Sequence, residues 1–478
     1  MNISARPDVH PDFPSRFRGA VLRPGDATYE EARAVFQGRI PEQAGPAVIA
    51  QCVDEDDVAT ALRYAHERGI PIAVRSGGHD ADGNSMPPAG LVVDLSQLRG
   101  ITVDPDTRVV RAQPGVLLRE LDAATQQHGL AVPAGTSGDT GLGGLTLGGG
   151  IGHLMRRYGA TVDNLLACEM ITVNGRNVRA DETENRELFW ALCGGGGNFG
   201  VVTAFEYRAQ PVGPEVVTGM VMFPFDQAAD ILDALPLYMR TAPRELGLTC
   251  MLGAIPPLPM LPQEMHGQLA LTLLPVYSGD PADADAVLEP LIDLGRPLVN
   301  LVEKKPWVQA NDMFAGSLAL GMRVNQRGGY LSDLSAEFID TVLNRIAAAP
   351  RNLAGMVMIN LWALGGAISD DVAEDATAFS REGARWIWDS GCMWTGPEHD
   401  RQYDEWTAGL VEALRRHTLP NGYINLAADQ GPEWRRGVHG SDAKHRRLRA
   451  VKTAWDPKNL LRHNKNITPY TDDHPAPG

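Results

Sequence analysis

Residues 74–85 read "VRSGGHDADGNS". A strand-like apolar run meets two glycines, Gly77 and Gly78, and then a histidine, His79. Such a turn lets main chain approach a bound group closely and sets an imidazole beside it. Upstream stand "PAVIAQCV" (46–53), "DEDDVATALRYAHERG" (54–69) and "IPIAVRS" (70–76). A short apolar run, an amphipathic stretch with acidic start and glycine stop, and a second apolar run form a β-α-β signature. Downstream, "GLVVDLSQL", "ITVDPDTRVVRAQPG" and "LLRELDAATQQHGL" add two or three strands and a helix. Residues 1–210 therefore predict an α+β lobe.

From 211 to 420 the pattern changes to longer alternating runs, such as "GQLALTLLPVYSG" and "GMVMINLWALGGA", separated by helical stretches such as "LSAEFIDTVLNRIAAA". This predicts a second sheet covered by helices on one side. Residues 421–478 are basic and loop-rich, "WRRGVHGSDAKHRRLRAVKTAWDPKNLLRHNKN", and are expected to return to the first lobe. The closing "TDDHPAPG" reads as a loose end.

At 478 residues the chain is long enough for two or more lobes. Its formal charge of −16 argues against a general affinity for nucleic acid or anionic membrane. The first twenty residues lack the apolar core of a signal peptide, and no stretch offers an uninterrupted apolar span. The expectation is a soluble, cytoplasmic protein, monomer or homodimer. Five scattered cysteines without a C-x-x-C pair indicate neither a disulfide framework nor a metal site.

Glycine is dense in "GTSGDTGLGGLTLGGGIG" (135–152) and "GGGGNFG" (194–200). Exposed backbone N–H groups in such loops form concave anion sites. A flexible linker is disfavoured by the interleaved Leu142, Leu145, Leu147 and Ile151. Gly195, Gly197 and Gly200 formally satisfy G-x-G-x-x-G, but helix-like "ENRELFWAL" precedes them and strand-like "VVTAFEYRA" follows. That is the reverse of the dinucleotide fingerprint's context.

Together, "VRSGGH", "GLGGLTLGGGIGHLMRRYG", "LFWALCGGGGNFGVVTAF", "GYIN" and "WDPKNLLRHNKNITP" resemble the FAD-linked oxidases of the vanillyl-alcohol oxidase type. Within these they are similar to the berberine-bridge-enzyme-like branch and its bacterial secondary-metabolism members. The resemblance spans "PGDATYEEARAVF" near residue 24 to "ITP" near 469. It implies a two-lobed FAD-binding domain of the PCMH type, formed by 1–210 and 421–478, and a substrate domain at 211–420. It further implies that His79 is bonded to the flavin 8α-methyl. Other FAD contacts implied are Arg75, Ser76, Gly77, Gly78 and Ser85; Gly135, Thr136, Asp139, Thr140, Gly141, Gly144, Gly148, Gly149 and Gly152; Gly200 and Val202; and Tyr423 and Asn425. Doubly linked relatives carry a cysteine where Ser137 stands, so a single covalent bond, with no cysteinyl link, is expected. Asp139 stands where many bacterial relatives have histidine in this loop.

The resemblance also implies hydride transfer from substrate carbon to flavin, assisted by a base, with oxygen reduced to hydrogen peroxide. One candidate base is Tyr423 of the family's Y-x-N motif. The other is Asp389 in "ARWIWDSGCMW", an acid among apolar residues that is costly to bury unless paired or functional. Pairing with Arg381 or Arg385 is the alternative. His153 either faces substrate or caps the following helix. Trp362, Trp386, Trp388, Trp394 and Trp406 supply an aromatic cleft or a core. The expected substrate is a small molecule, a hydroxylated or aromatic secondary metabolite as in antibiotic biosynthesis. A carbohydrate oxidase and a flavoprotein that sequesters a toxic metabolite are the alternatives.

Overall fold

The helix Glu55–Arg68 fixes the first lobe. Asp54 caps it by accepting from the Asp57 N–H at 3.0 Å, and Gly69 ends it in the left-handed region at φ 65°. Its apolar face, with Val58, Leu62 and Ala65, packs against Val48, Ile72 and Leu91 of the adjoining sheet. That sheet has the order Ala20–Leu22, Val48–Gln51, Leu91–Asp94, Ile72–Arg75, and the last three strands are parallel. The sequence signature is thus realised, with Leu91–Asp94 lying between its two strands, and strand Ile72–Arg75 leads into the Gly-Gly-His turn. The computed structural model describes residues 13–40, 45–257, 261–313, 320–351 and 355–471. The closing "DDHPAPG" and the first twelve residues, part of the signal-peptide reading, lie outside these.

A second, antiparallel sheet runs Ile101–Asp104, Val109–Ala112, Val201–Arg208, Leu165–Ile171, Asn177–Asp181. Helix Arg186–Leu192 precedes the run 194–200 and strand Val201–Arg208 follows it, the order read from the sequence. The C-terminal segment returns to this lobe. Ile72 donates its N–H to Leu460 O at 2.9 Å. Lys452 Nζ, fully buried, donates to Asn198 O at 2.9 Å, Asp456 Oδ2 at 2.8 Å and Leu461 O at 2.8 Å. Three acceptors satisfy the ammonium's three donors, which is what makes its burial tolerable.

The larger sheet is antiparallel. Its main path is Val299–Asn300, Val221–Pro224, Leu269–Tyr277, Leu246–Ala254, Gly355–Ala363, Trp386–Trp394, Arg323–Leu331. Strand alternation splits Trp386–Trp394 into two faces. Trp386, Trp388, Cys392 and Trp394 join a core with Phe338, Ile339 and Val342 of helix Ala336–Ala347 and Leu410 and Leu414 of helix Asp400–Leu414. Asp389, Gly391 and Met393 point the other way, into a cleft against the first lobe. Trp386, Trp388, Trp394 and Trp406 therefore build core rather than an aromatic cleft; Trp362, by contrast, lines the cleft. The architecture is α+β, with a first lobe of two sheets and a second lobe of one large antiparallel sheet backed by helices, as expected. Among the described residues no helix is long and apolar enough to cross a membrane.

Candidate active site

The turn after strand Ile72–Arg75 is fastened on both sides. Ser76 Oγ donates to Pro114 O at 2.5 Å and accepts from the Gly143 N–H at 3.3 Å. Gly78, at φ 73°, lets the chain reverse. The His79 ring then lies parallel to Phe36, centroids 5.4 Å apart. Burial lowers the His79 pKa, opposed by Asp139 and reinforced by Arg119.

Glycine serves two different purposes around this turn. A Cβ on Gly77 would stand 2.4 Å from Gly141 N, and one on Gly141 would stand 2.2 Å from Gly77 N. The two loops thus meet backbone to backbone. Gly144 and Gly197 instead face open space, with nothing within 4 Å of an added Cβ. Both line the cleft.

The Y-x-N element braces the glycine loop. Asn425 Nδ2 lies 3.2 Å from Gly144 O, 3.1 Å from Leu145 O and 3.1 Å from the Tyr423 hydroxyl. Burial pushes the Tyr423 phenol up to about 12, opposed by hydrogen bonds from Asn425 and the backbone of Ile151 and Gly150.

Across the cleft stands Asp389. Trp362 Nε1 donates to its Oδ2 at 2.6 Å and Asn360 Nδ2 to its Oδ1 at 3.0 Å. Burial pushes the carboxyl up to about 6, held back by bonds from Trp362, Asn360 and Gln326. The arginine pairing is not made: Arg381 binds Asp163 at 2.7 Å and Arg385 binds Asp370 at 3.2 Å. Asp389 is therefore a buried acid that lines the cleft, hydrogen-bonded but not paired with either arginine, of the kind suited to proton transfer near neutral pH.

His153 also lines the cleft, and its Nε2 has no hydrogen-bond partner within the protein. It does not cap the following helix, Met155–Tyr158, which has no side-chain cap. Burial pushes the imidazole down to about 4, so it is neutral at physiological pH.

A model described as FAD binding domain matches residues 46–181, and one described as berberine and berberine like matches 422–468. The FAD-linked oxidoreductase YgaK of Bacillus subtilis is 30% identical, over 95% of this chain and 98% of its own. The chain belongs to the FAD-linked oxidoreductases. Among solved structures, 6-hydroxy-D-nicotine oxidase from Arthrobacter nicotinovorans superposes with a TM-score of 0.84 at 26% identity, covering 95% of this chain and 98% of that one. A xylooligosaccharide oxidase of Thermothelomyces thermophilus is 28% identical over 59% of this chain and 55% of its own.

The cleft of this FAD-linked oxidoreductase fits the cofactor on its own geometry. The bare Cα atoms of Gly144 and Gly197 leave room that no protein atom fills. The Ser85 hydroxyl, His463 Nε2 and Asn464 Oδ1 line the same cleft, buried and without protein partners. Leaving such groups unbonded is costly, which points to a polar ligand.

Most of the expected FAD contacts converge here. Ser76, Gly77, Gly78, His79 and Ser85 line the cleft from the first turn. From the glycine loop come Gly135, Thr136, Thr140, Gly141 and Gly144, and behind them Gly200, Val202, Tyr423 and Asn425. Others are engaged elsewhere. The Arg75 guanidinium turns back to Ala32 O at 2.7 Å and Asp94 at 3.3 Å, tying strand ends together. A Cβ on Gly148 would strike Asn425, on Gly149 Phe379, and on Gly152 Ala134 O. Protein packing accounts for those three glycines. Asp139 is not among the residues lining the cleft, and its Oδ1 lies 3.7 Å from His79 Nε2.

Sequence reading brought 421–478 to this lobe and named Tyr423 and Asn425, but not three further residues of that segment. His463, Asn464 and Lys465 line the cleft, and Lys465 Nζ pairs with Asp82 at 2.6 Å and Asp80 at 3.5 Å. The signal was present in "RHNKN", polar residues packed immediately after a buried Leu460-Leu461 pair. Asn360 was not singled out, and Trp362 was read only as an aromatic of cleft or core, because both act through Asp389 on a different strand.

Proposed function

We propose that this FAD-linked oxidoreductase is an oxidase that removes hydride from a carbon bearing a hydroxyl or amine, in a hydroxylated or aromatic secondary metabolite. In this reading the flavin is attached covalently through His79 alone. Residues 1–210 and 421–478 form the FAD domain, and 211–420 the substrate domain. The observation that carries the reading is Asp389, a buried carboxyl raised to about 6 that opens on the cleft shared with His79.

Asp389 takes the proton from the substrate oxygen or nitrogen as the hydride leaves the adjacent carbon. Trp362 and Asn360 hold the carboxylate in place. Tyr423, raised to about 12 by burial, stays protonated at neutral pH and serves as a hydrogen-bond donor rather than as the base. When bound, FAD supplies a two-electron hydride acceptor that dioxygen returns to its oxidised form with release of hydrogen peroxide. The likeness to a nicotine oxidase supports a nitrogen-bearing or aromatic substrate.

A carbohydrate reading is favoured by Asn360 Oδ1, buried, facing the cleft and without a protein partner. That acceptor, with Gln326 beside it, suits a substrate rich in hydroxyls, and one relative is a xylooligosaccharide oxidase. Anaerobic mixing with panels of phenolic alcohols, cyclic amines and oligosaccharides separates the readings. Flavin bleaching by the first two, with peroxide on admitting air, supports the proposal; bleaching by sugars alone moves it to carbohydrate. A spectral shift without bleaching would make the protein a sequestering flavoprotein.

A further inference from the structure

Asp139, expected as an FAD contact, is not among the residues that line the cleft, and its geometry supplies a different role. Its Oδ1 lies 3.7 Å from His79 Nε2 and accepts a hydrogen bond from Ser137 Oγ at 2.6 Å. Side-chain exposure is 15% for His79 and 21% for Asp139, so solvent screens the contact little. Phe36 stacks on the imidazole and fixes its plane. The nearby Arg119 donates from Nε to Gly138 O at 3.1 Å. We infer that Asp139, oriented by Ser137, is a positioning residue that promotes the joining of His79 to flavin by stabilising the positive imidazole formed in that step. The inference rests on the covalent reading above.

The chemistry requires such a group. With Nε2 beside Asp139, the other ring nitrogen, Nδ1, forms the new bond to the 8α carbon while Nε2 keeps its proton, so the ring becomes a cation. A C–H bond of the methyl breaks and its electron pair enters the flavin. The methyl proton and then the imidazole proton end on the reduced ring. Dioxygen removes both electrons and both protons as hydrogen peroxide, leaving oxidised, attached flavin. Burial opposes a cation at His79, and a carboxylate beside Nε2 offsets that cost.

The test is reconstitution of the full chain, produced under riboflavin limitation, with FAD in air. Total bound FAD is read by absorbance, and attached FAD by fluorescence that survives acid denaturation. Asp139→Asn is expected to bind FAD as wild type does and to attach it at least tenfold more slowly. Asp139→Glu is expected to recover most of the rate, and Ser137→Ala to fall between. Attachment by Asp139→Asn at the wild-type rate would overturn the inference, as would equal loss in Asp139→Asn and Asp139→Glu. His79→Ala is the control for the underlying reading: acid-resistant FAD in that variant would remove the histidyl link itself, irrespective of Asp139.

Discussion

Trp362 donates its indole N–H to Asp389 Oδ2 at 2.6 Å, from a position two residues along the strand from Asn360, which lies directly opposite Asp389. Both donors favour the charged carboxylate, against the burial that raises it to about 6. With any substrate that reduces the wild-type flavin, kcat/KM is expected to rise with pH through about 6. Asp389→Asn should lower it by about 10²–10⁴ and abolish that limb. Trp362→Phe, which loses a donor to the ionised form, should move the limb to higher pH. An unmoved limb in Trp362→Phe would show that the titrating group lies elsewhere.

The same carboxyl is visible without substrate. A carboxyl raised from 3.8 to about 6 is still protonated in the folded chain where the unfolded chain has released its proton. Stability therefore falls as pH rises from about 4 to 6, by on the order of 3 kcal/mol, and the loss is complete above the folded value. Asp389→Asn cannot ionise. Its thermal midpoint relative to wild type should move in its favour between pH 4 and pH 7; a constant difference across that range would contradict the raised pKa.

Gly77 and Gly144 make opposite predictions. Gly77→Ala forces a Cβ to 2.4 Å from Gly141 N, backbone that cannot swing aside, so it should destabilise the apoprotein and the holoprotein alike. Gly144→Ala meets no protein atom and sits within helix Leu142–Leu147. There alanine is the better helix former by about 1 kcal/mol. The variant should leave the apoprotein at least as stable and weaken FAD binding, as measured by thermal shift with and without added FAD. Unchanged FAD affinity would mean that the space over Gly144 is not the cofactor's.

Local rules made the first lobe legible. The acidic start and glycine stop of 54–69 marked a helix, and the glycine pair of 77–78 marked the turn that carries His79. The two faces of 386–394 were legible because strand alternation depends on nothing outside the strand. The tryptophans showed the limit of that rule: alternation separates faces but does not say which one helices will cover. The arginine partner considered for Asp389 failed for a related reason. Arg381 and Arg385 are near in sequence, whereas Trp362 and Asn360 are brought to the acid by strand pairing across 27 and 29 residues. At Arg75 the resemblance concerns backbone beside the cofactor; where its guanidinium goes was not legible, because Asp94 and Ala32 O are brought to it only by the fold.

Ser137 offers a test of how the cofactor lies along this wall. It lines the cleft with His79, and the two are joined through Asp139 by contacts of 2.6 and 3.7 Å. A hydroxyl cannot form the thioether that a cysteine makes with a flavin ring carbon. In a His79→Ala background, which should hold FAD without attaching it, Ser137→Cys is expected to restore acid-resistant flavin, seen as fluorescence in the denatured band and a mass increase of one FAD. Tight FAD binding by this double variant with no attachment would place the flavin ring out of reach of residue 137, so that the loop's path, and not only its side chain, would bar a link there.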